Sequence, residues 1–212
     1  MKGPFLTKEN NMKKYIEDTI NYYNTHAEEY KKEWNDAFVK EVHFDIPDIF
    51  LSYLDDNPYI LDLGCGSGRD SKYFLEKGFR VKAIDGSKEM CKIAEELLGI
   101  SVEQLNFLDI NFINEFDGIL AAASLLHLNN NDLEIVMNKL YDALKVNGIL
   151  FATFKYGDEE RFKKMRYFND MTEEKFKSIC NKIPGFKIVK INKDDAYKDH
   201  KPFINFVIKK LN

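Results

Sequence analysis

Three groups of residues in this 212-residue chain have the types and spacing to do chemistry. The first is "ILDLGCGSGRD", residues 60–70, where Gly64, Gly66 and Gly68 follow an apolar run that contains Asp62. Glycine tolerates positive φ and lets a ligand approach bare backbone. A helix beginning near Arg69 would aim its unbonded N–H groups into the same space, as at sites that hold anions and nucleotides. The second is Asp85, which closes "VKAID" about twenty residues later, where a carboxylate can accept two hydrogen bonds from a ribose diol. Capping of the next helix falls to Ser87 instead. The third is His127 in "ASLLHL", placed to act as a general base; a packing or hydrogen-bonding residue at the start of a helix is the plainer reading of it. Cys65 invites a nucleophilic role, but between two glycines it reads more simply as a small residue.

The elements that must position these groups follow from the hydrophobic pattern. From residue 59, the short apolar runs "YILDL", "RVKAI", "VEQLNF", "FDGILAAA" and "GILFATF" alternate with amphipathic segments that begin near Gly68, Ser87 and Asn131. This is the pattern of a parallel sheet covered by helices on both faces. A helix over about 172–181, capped by Thr172 with Glu173 and Glu174 in its first turn, precedes "FKIVKI" and "FINFVIKK", which should pair as an antiparallel hairpin. Five parallel strands and a hairpin make seven. Residues 9–54 read as helices, with Tyr22, Tyr23, Tyr30, Trp34, Phe38 and Val42 at near-helical spacing and Pro47 opening or kinking the last one.

In an open parallel sheet, ligands bind beyond the carboxyl ends of the strands where strand order reverses, and the glycine run lies at such an end. A nicotinamide- or flavin-linked oxidoreductase would show GxGxxG; here the loop is GxGxG, with Arg69 where that fingerprint would continue. "ILDLGCGSGRD", "IDGS", "FDGILAAASLLHL" and "LKVNGILFATFKYG" together resemble the class I S-adenosylmethionine-dependent methyltransferase family over about residues 59–155. The later "RYFNDMTEEKFKSI…GF" is similar, more loosely, to its small-molecule and tellurite-resistance branch.

The resemblance implies a Rossmann-like, doubly wound α/β sheet of seven strands, with residues 1–55 as a helical cover and 56–212 as the core of one domain. It implies S-adenosylmethionine as cofactor and S-adenosylhomocysteine as product. By position, Asp62 and the Gly64, Cys65 and Gly66 backbone would hold the methionine moiety, and Asp85 the ribose. Gly86 and Met90 would pack on the adenine, and Ala122 would sit beside the sulfonium. The adenine amino group would meet either Asn106 with Phe107 or Leu108 with Asp109; counting back from Phe116 and Asp117 favours the first pair. Tyr22 and Tyr30 belong to a Tyr-rich leader of the kind that closes over the cofactor in this family. Lys155, Tyr156, Arg161, Lys163, Lys164, Arg166 and Tyr167 form a basic, aromatic segment that could steer an acidic acceptor, although Asp158, Glu159 and Glu160 offset much of it.

Composition narrows the rest. A hydrophobic fraction of 44% with 17 phenylalanines supports a substantial core, and a net charge of −4 argues against life on duplex nucleic acid. After the fourth strand, Ala122, Ala123, Ser124 and Leu125 stand where enzymes methylating exocyclic amines of DNA bases carry Asp/Asn-Pro-Pro-aromatic. DNA is therefore not the expected substrate. Three scattered cysteines without metal-type spacing, no signal-like leader and no membrane-length apolar run point to a cytoplasmic chain that needs no metal. The expected activity is direct in-line methyl transfer to a small-molecule acceptor. An RNA (tRNA) acceptor, a non-catalytic S-adenosylmethionine-binding protein and, less well supported, an NAD-linked oxidoreductase are the alternatives.

Overall fold

The computed structural model describes residues 13–35, 45–194 and 202–212, so Phe38, Val42 and most of the connection inside the C-terminal hairpin lie outside the described residues. Three helices come first: α1 (Lys14–Thr25), α2 (Ala27–Asn35) and α3 (Asp45–Leu51). Pro47 sits in the first turn of α3, where no backbone N–H is required of it. The core then alternates as β1 (Tyr59–Leu63), α4 (Arg69–Glu76), β2 (Arg80–Asp85), α5 (Lys88–Leu98), β3 (Val102–Gln104), β4 (Phe116–Ala121), α6 (Asn130–Ala143) and β5 (Leu144–Lys155). It finishes with β6 (Glu160–Lys163), β7 (Arg166–Asn169), α7 (Glu173–Cys180), β8 (Phe186–Lys193) and β9 (Phe203–Lys210).

Seven strands form one sheet in the order β3-β2-β1-β4-β5-β9-β8. The first five are parallel, and β9 runs antiparallel to both β5 and β8. Strand order therefore reverses between β1 and β4, whose carboxyl ends open the crevice that α/β sheets use for ligands. No helix among the described residues is long and apolar enough to cross a membrane.

Side-chain alternation builds a core on each face. Leu61, Leu63, Ile119, Ala121, Leu150 and Ala152 pack with Leu133, Val136, Met137 and Leu140 of α6 and with Phe176 and Ile179 of α7. Their neighbours Ile60, Leu120 and Phe151 face the other way, onto Phe50 of α3 and Phe74 of α4. Gly118 on β4 makes room for that second layer: a Cβ there would lie 2.6 Å from the Phe50 ring and 2.8 Å from Leu54.

Three local features differ from the sequence expectation. Strand pairing in "VEQLNF" stops at Gln104, because the Asn106 side chain accepts the Leu108 N–H and starts a single 3-10 turn, Phe107–Asp109. "LLH" is likewise one 3-10 turn, and α6 begins after Asn129, whose side chain accepts the Asp132 N–H. The basic segment contains an unexpected hairpin, β6–β7, turning through Lys164 and Met165 at φ 49° and 66°. Such turns usually announce themselves with Asn-Gly, so the sequence carried no cue.

Helix α1 lies between α5 and β7. Its Tyr15 hydroxyl and the preceding Lys13 ammonium bond the fully buried Asp132 carboxylate, while Thr19 Oγ accepts the Tyr167 N–H at 3.1 Å. Replacing Gly118 with Ala should cost about 1–3 kcal/mol in urea-unfolding stability, as overpacking does. Adding Phe50→Leu should return part of the loss; full stability of the single variant would mean that α3 does not seat there.

Candidate active site

The glycine loop is shaped by the end of β2. Gly64 and Cys65 both donate their N–H to the Ile84 carbonyl, at 2.9 and 3.0 Å, and the loop turns back through a Gly68 N–H to Cys65 carbonyl bond of 3.0 Å. Gly64 has φ 78°, and a Cβ on it would stand 2.5 Å from Ser124 Cβ, so both conformation and space require glycine. Asp85 joins loop to helix: Oδ2 accepts the Gly66 N–H at 2.9 Å and Oδ1 the Ser87 N–H at 2.8 Å. Burial raises the Asp85 pKa above the ordinary carboxylate value, and the Ser87, Gly66 and Gly86 amides oppose that rise. Ser87 in turn caps α5 by accepting the Met90 N–H.

Beyond this loop lies a cavity of about 730 Å³, including its open mouth. Its walls are Gly64, Gly66, Asp85, Gly86 and Met90 on one side, Leu105, Asn106 and Phe107 on the next, and Ala122, Ala123, Ser124 and His127 after β4. Ile16, Thr19, Ile20 and Tyr23 of α1 and Tyr30 of α2 cover it. Ile20 packs onto Gly86 and Tyr30 onto Gly66, at 3.0 and 3.5 Å from where a Cβ would be. Ala123 holds φ 50° and donates its N–H to Thr153 Oγ at 2.7 Å, a bend that turns the chain from β4 into the cavity wall. The Ser124 hydroxyl is buried there without a hydrogen-bond partner among the described residues, a polar atom ready for a bound molecule.

His127 lines the side of the cavity nearest β7. Its Nδ1 lies 2.6 Å from the Tyr167 carbonyl, which can only accept, so Nδ1 carries the proton and Nε2 accepts the Tyr23 hydroxyl at 2.9 Å. Burial pulls its pKa down to about 4, helped by Arg166 and Lys155 and opposed by the Tyr167 carbonyl. The ring is therefore neutral through the physiological range.

Residues 60–148 match the family model described as a methyltransferase domain. The chain is 26% identical over 145 residues to an uncharacterized methyltransferase of Staphylococcus carnosus, covering 64% of this chain and 70% of that one. Among solved structures it resembles the Burkholderia thailandensis 1,6-didemethyltoxoflavin N1-methyltransferase bound to 1,6-didemethyltoxoflavin and S-adenosylhomocysteine. That likeness has a TM-score of 0.78 at 18% identity, over 100% of this chain and 94% of that one. It also resembles the N-methyltransferase NodS of Bradyrhizobium japonicum in complex with S-adenosyl-L-homocysteine, with a TM-score of 0.71 at 15% identity over 94% and 100% of the two chains.

Residues 60–148 are thus matched as a methyltransferase domain, and the chain as a whole shares the fold of these methyltransferases.

Most residues singled out in the methyltransferase sequence meet at this cavity: Gly64, Gly66, Asp85, Gly86, Met90, Asn106, Phe107, Ala122, Tyr30 and His127. Leu108 and Asp109, the other pair considered, are not among its lining residues. Asp62 does not reach the cavity. It shares the strand face of Ile60, toward α4, where it is buried and accepts the Ser71 hydroxyl at 2.6 Å. The Cys65 side chain also turns away, packing with Ala83, Cys91 and Val102, and burial holds its thiol well above the usual pKa.

Four acceptor or lid candidates are displaced as well. Tyr22 stacks on His26 at 4.1 Å, and its neighbour Tyr23, one helical step around, faces the cavity. Lys155 lies over Phe168 and Phe203, Tyr156 lies under Lys193, and Arg166 stands behind Tyr23, donating toward its hydroxyl at 3.4 Å. Ile16, Thr19, Ile20, Leu105 and Ser124 escaped the sequence reading. The 3–4 spacing of Ile16, Thr19, Ile20 and Tyr23 was the available signal.

Burial, then Asp70, raise the Asp62 pKa, so the folded methyltransferase binds a proton there more tightly than the unfolded chain. That contribution is present at low pH and is lost as pH rises from the ordinary carboxylate range near 4 through the raised value. Asp62→Asn should therefore flatten the fall in apo-protein stability between about pH 4 and 8. Denaturant curves across that range check it; an unchanged slope contradicts the protonation assigned to Asp62.

Proposed function

We propose that this enzyme transfers the methyl group of S-adenosylmethionine to a small molecule enclosed beneath α1. The observation that carries this reading is the roof: Ile16, Thr19, Ile20, Tyr23 and Tyr30 cover the space beside Ala122 and Ser124 where the methyl would emerge. An acceptor must fit under side chains of the enzyme's own N-terminal helices, which suits a compact molecule better than a folded RNA. The Burkholderia relative carries a small heterocycle together with S-adenosylhomocysteine, which supports the same reading.

In this proposal, Asp85 accepts from the ribose hydroxyls, the bare backbone of the glycine loop lies against the donor, Gly86 and Met90 flank the adenine, and Asn106 and Phe107 border it. A lone pair of the acceptor attacks the methyl carbon as the carbon–sulfur bond breaks and its electron pair returns to sulfur, leaving a neutral thioether. The acceptor's proton leaves to water. Because the donor already has a positive leaving group, the protein's share is alignment and exclusion of water, worth several kcal/mol in a well-oriented pair. His127 accepts from Tyr23 through Nε2, so its role here is to hold Tyr23 over the cavity rather than to remove a proton.

Helices α1 and α2 act as the cover in this account. S-adenosylhomocysteine should then slow tryptic cleavage within Lys14–Asn35 at least several-fold; cleavage at an unchanged rate would remove the cover role. With methyl-labelled S-adenosylmethionine and fractionated cell extract, label should enter the low-mass fraction. Label in RNA would favour the RNA reading instead, and no transfer at all would favour a silent binding protein.

A further inference from the structure

Behind His127, the buried ring of Phe168 on β7 lies 4.9 Å from the imidazole, centroid to centroid. Three cations surround that one ring: Lys155 Nζ at 5.4 Å, the Arg161 guanidinium at 5.2 Å and the Arg166 guanidinium at 5.2 Å from its centroid. An aromatic face attracts a cation, but three like charges gathered on one ring repel each other. Arg161 is paired with the buried Asp170 carboxylate. Lys155 also feels the Asp170 carboxylate, so among the described residues in these contacts three cations share the neighbourhood of that one acidic group.

Two of the acidic residues that could have offset the segment are engaged elsewhere. Asp158 lies against Lys175, and Glu160 accepts from the Tyr167 hydroxyl and from Asn130. Half-buried Lys155 carries the strain: desolvation, then Lys163 and Arg161, lower its pKa, while Asp170 opposes them. The Arg166 Nε is buried without a hydrogen-bond partner among the described residues. The same guanidinium reaches the Tyr23 hydroxyl at 3.4 Å, and Tyr23 and His127 both line the cavity. A half-buried cluster of cations with a buried donor left open is suited to an anion.

We propose that the methyl acceptor carries a carboxylate or phosphate group bound at the Lys155–Arg161–Arg166 cluster, beyond the Tyr23–His127 end of the cavity. This rests on the methyltransferase reading of the cavity and names the acceptor's chemical class. The anion offsets the cationic cluster, bonds to the Arg166 fork and anchors one end of the molecule while its nucleophile lies by Ala122 and Ser124.

The test is calorimetric titration of the protein loaded with S-adenosylhomocysteine, using benzoate, phenyl phosphate and, as the neutral probe, benzamide. At least one anion should bind about tenfold or more tighter than benzamide, and the tighter of the two tells carboxylate from phosphate. Lys155→Met and Arg166→Gln should each erase most of that preference, and Arg166→Lys should retain part of it. S-adenosylhomocysteine affinity, measured for every variant, reports that the cofactor half of the cavity is folded. Equal affinity for all three probes, or a preference that persists in the variants, overturns the proposal while leaving the cofactor reading intact. Failure of S-adenosylhomocysteine to bind the wild-type protein overturns both.

Discussion

One carboxylate organises this molecule. Asp85 stands at the end of β2 and takes one amide from the glycine loop and one from the entry to α5, so the two walls of the nucleoside site hang on its two oxygens. Buried acceptors of this kind are costly to leave unmatched. The loop cannot move without breaking a charge-assisted bond; Gly64 cannot be replaced without striking Ser124, and Gly66 holds a φ of 54° that other residues rarely adopt. The parallel sheet makes this possible by reversing strand order beside β1, which leaves a gap that the loop lines with backbone.

The roof is as firmly tied as the floor. Along α1, Tyr15 reaches Asp132 of α6, Thr19 reaches the backbone of β7, Tyr23 reaches His127, and Asn24 accepts the Ser87 hydroxyl at the start of α5. One helix thus ties the Ser87 side of the cavity to its His127 side. In the proposed reading, closure over the donor and placement of the acceptor share the same side chains. The neutral imidazole of His127 belongs to this framework: its proton is fixed on Nδ1 by a carbonyl, and its lone pair on Nε2 holds the roof.

What could be read in the sequence was what depends on neighbours along the chain. The glycine loop, Asp85, the Ser87 and Thr172 caps and the alternation of strands and helices are local, and they appear where the residues predicted them. The side on which Asp62 lies was local information too: period two places it with Ile60 on the α4 face. Tyr22 and Tyr23 differ by one helical step, and only packing of α1 against β7 decides which one looks inward. The β6–β7 hairpin turns through Lys164 and Met165, residues that give no turn signal, and so the cation cluster around Phe168 was visible only as a diffuse basic stretch. The state of His127 depends on a carbonyl forty residues away, beyond any motif.

The most direct measurement is calorimetric binding of S-adenosylhomocysteine, NAD and ATP to the wild-type protein and to Asp85→Ala. The account predicts that only S-adenosylhomocysteine binds tightly, and that the variant loses about 2 kcal/mol, roughly thirtyfold, of that affinity while staying folded. Tight binding of NAD or ATP in place of S-adenosylhomocysteine, or unchanged S-adenosylhomocysteine affinity in Asp85→Ala, would contradict it.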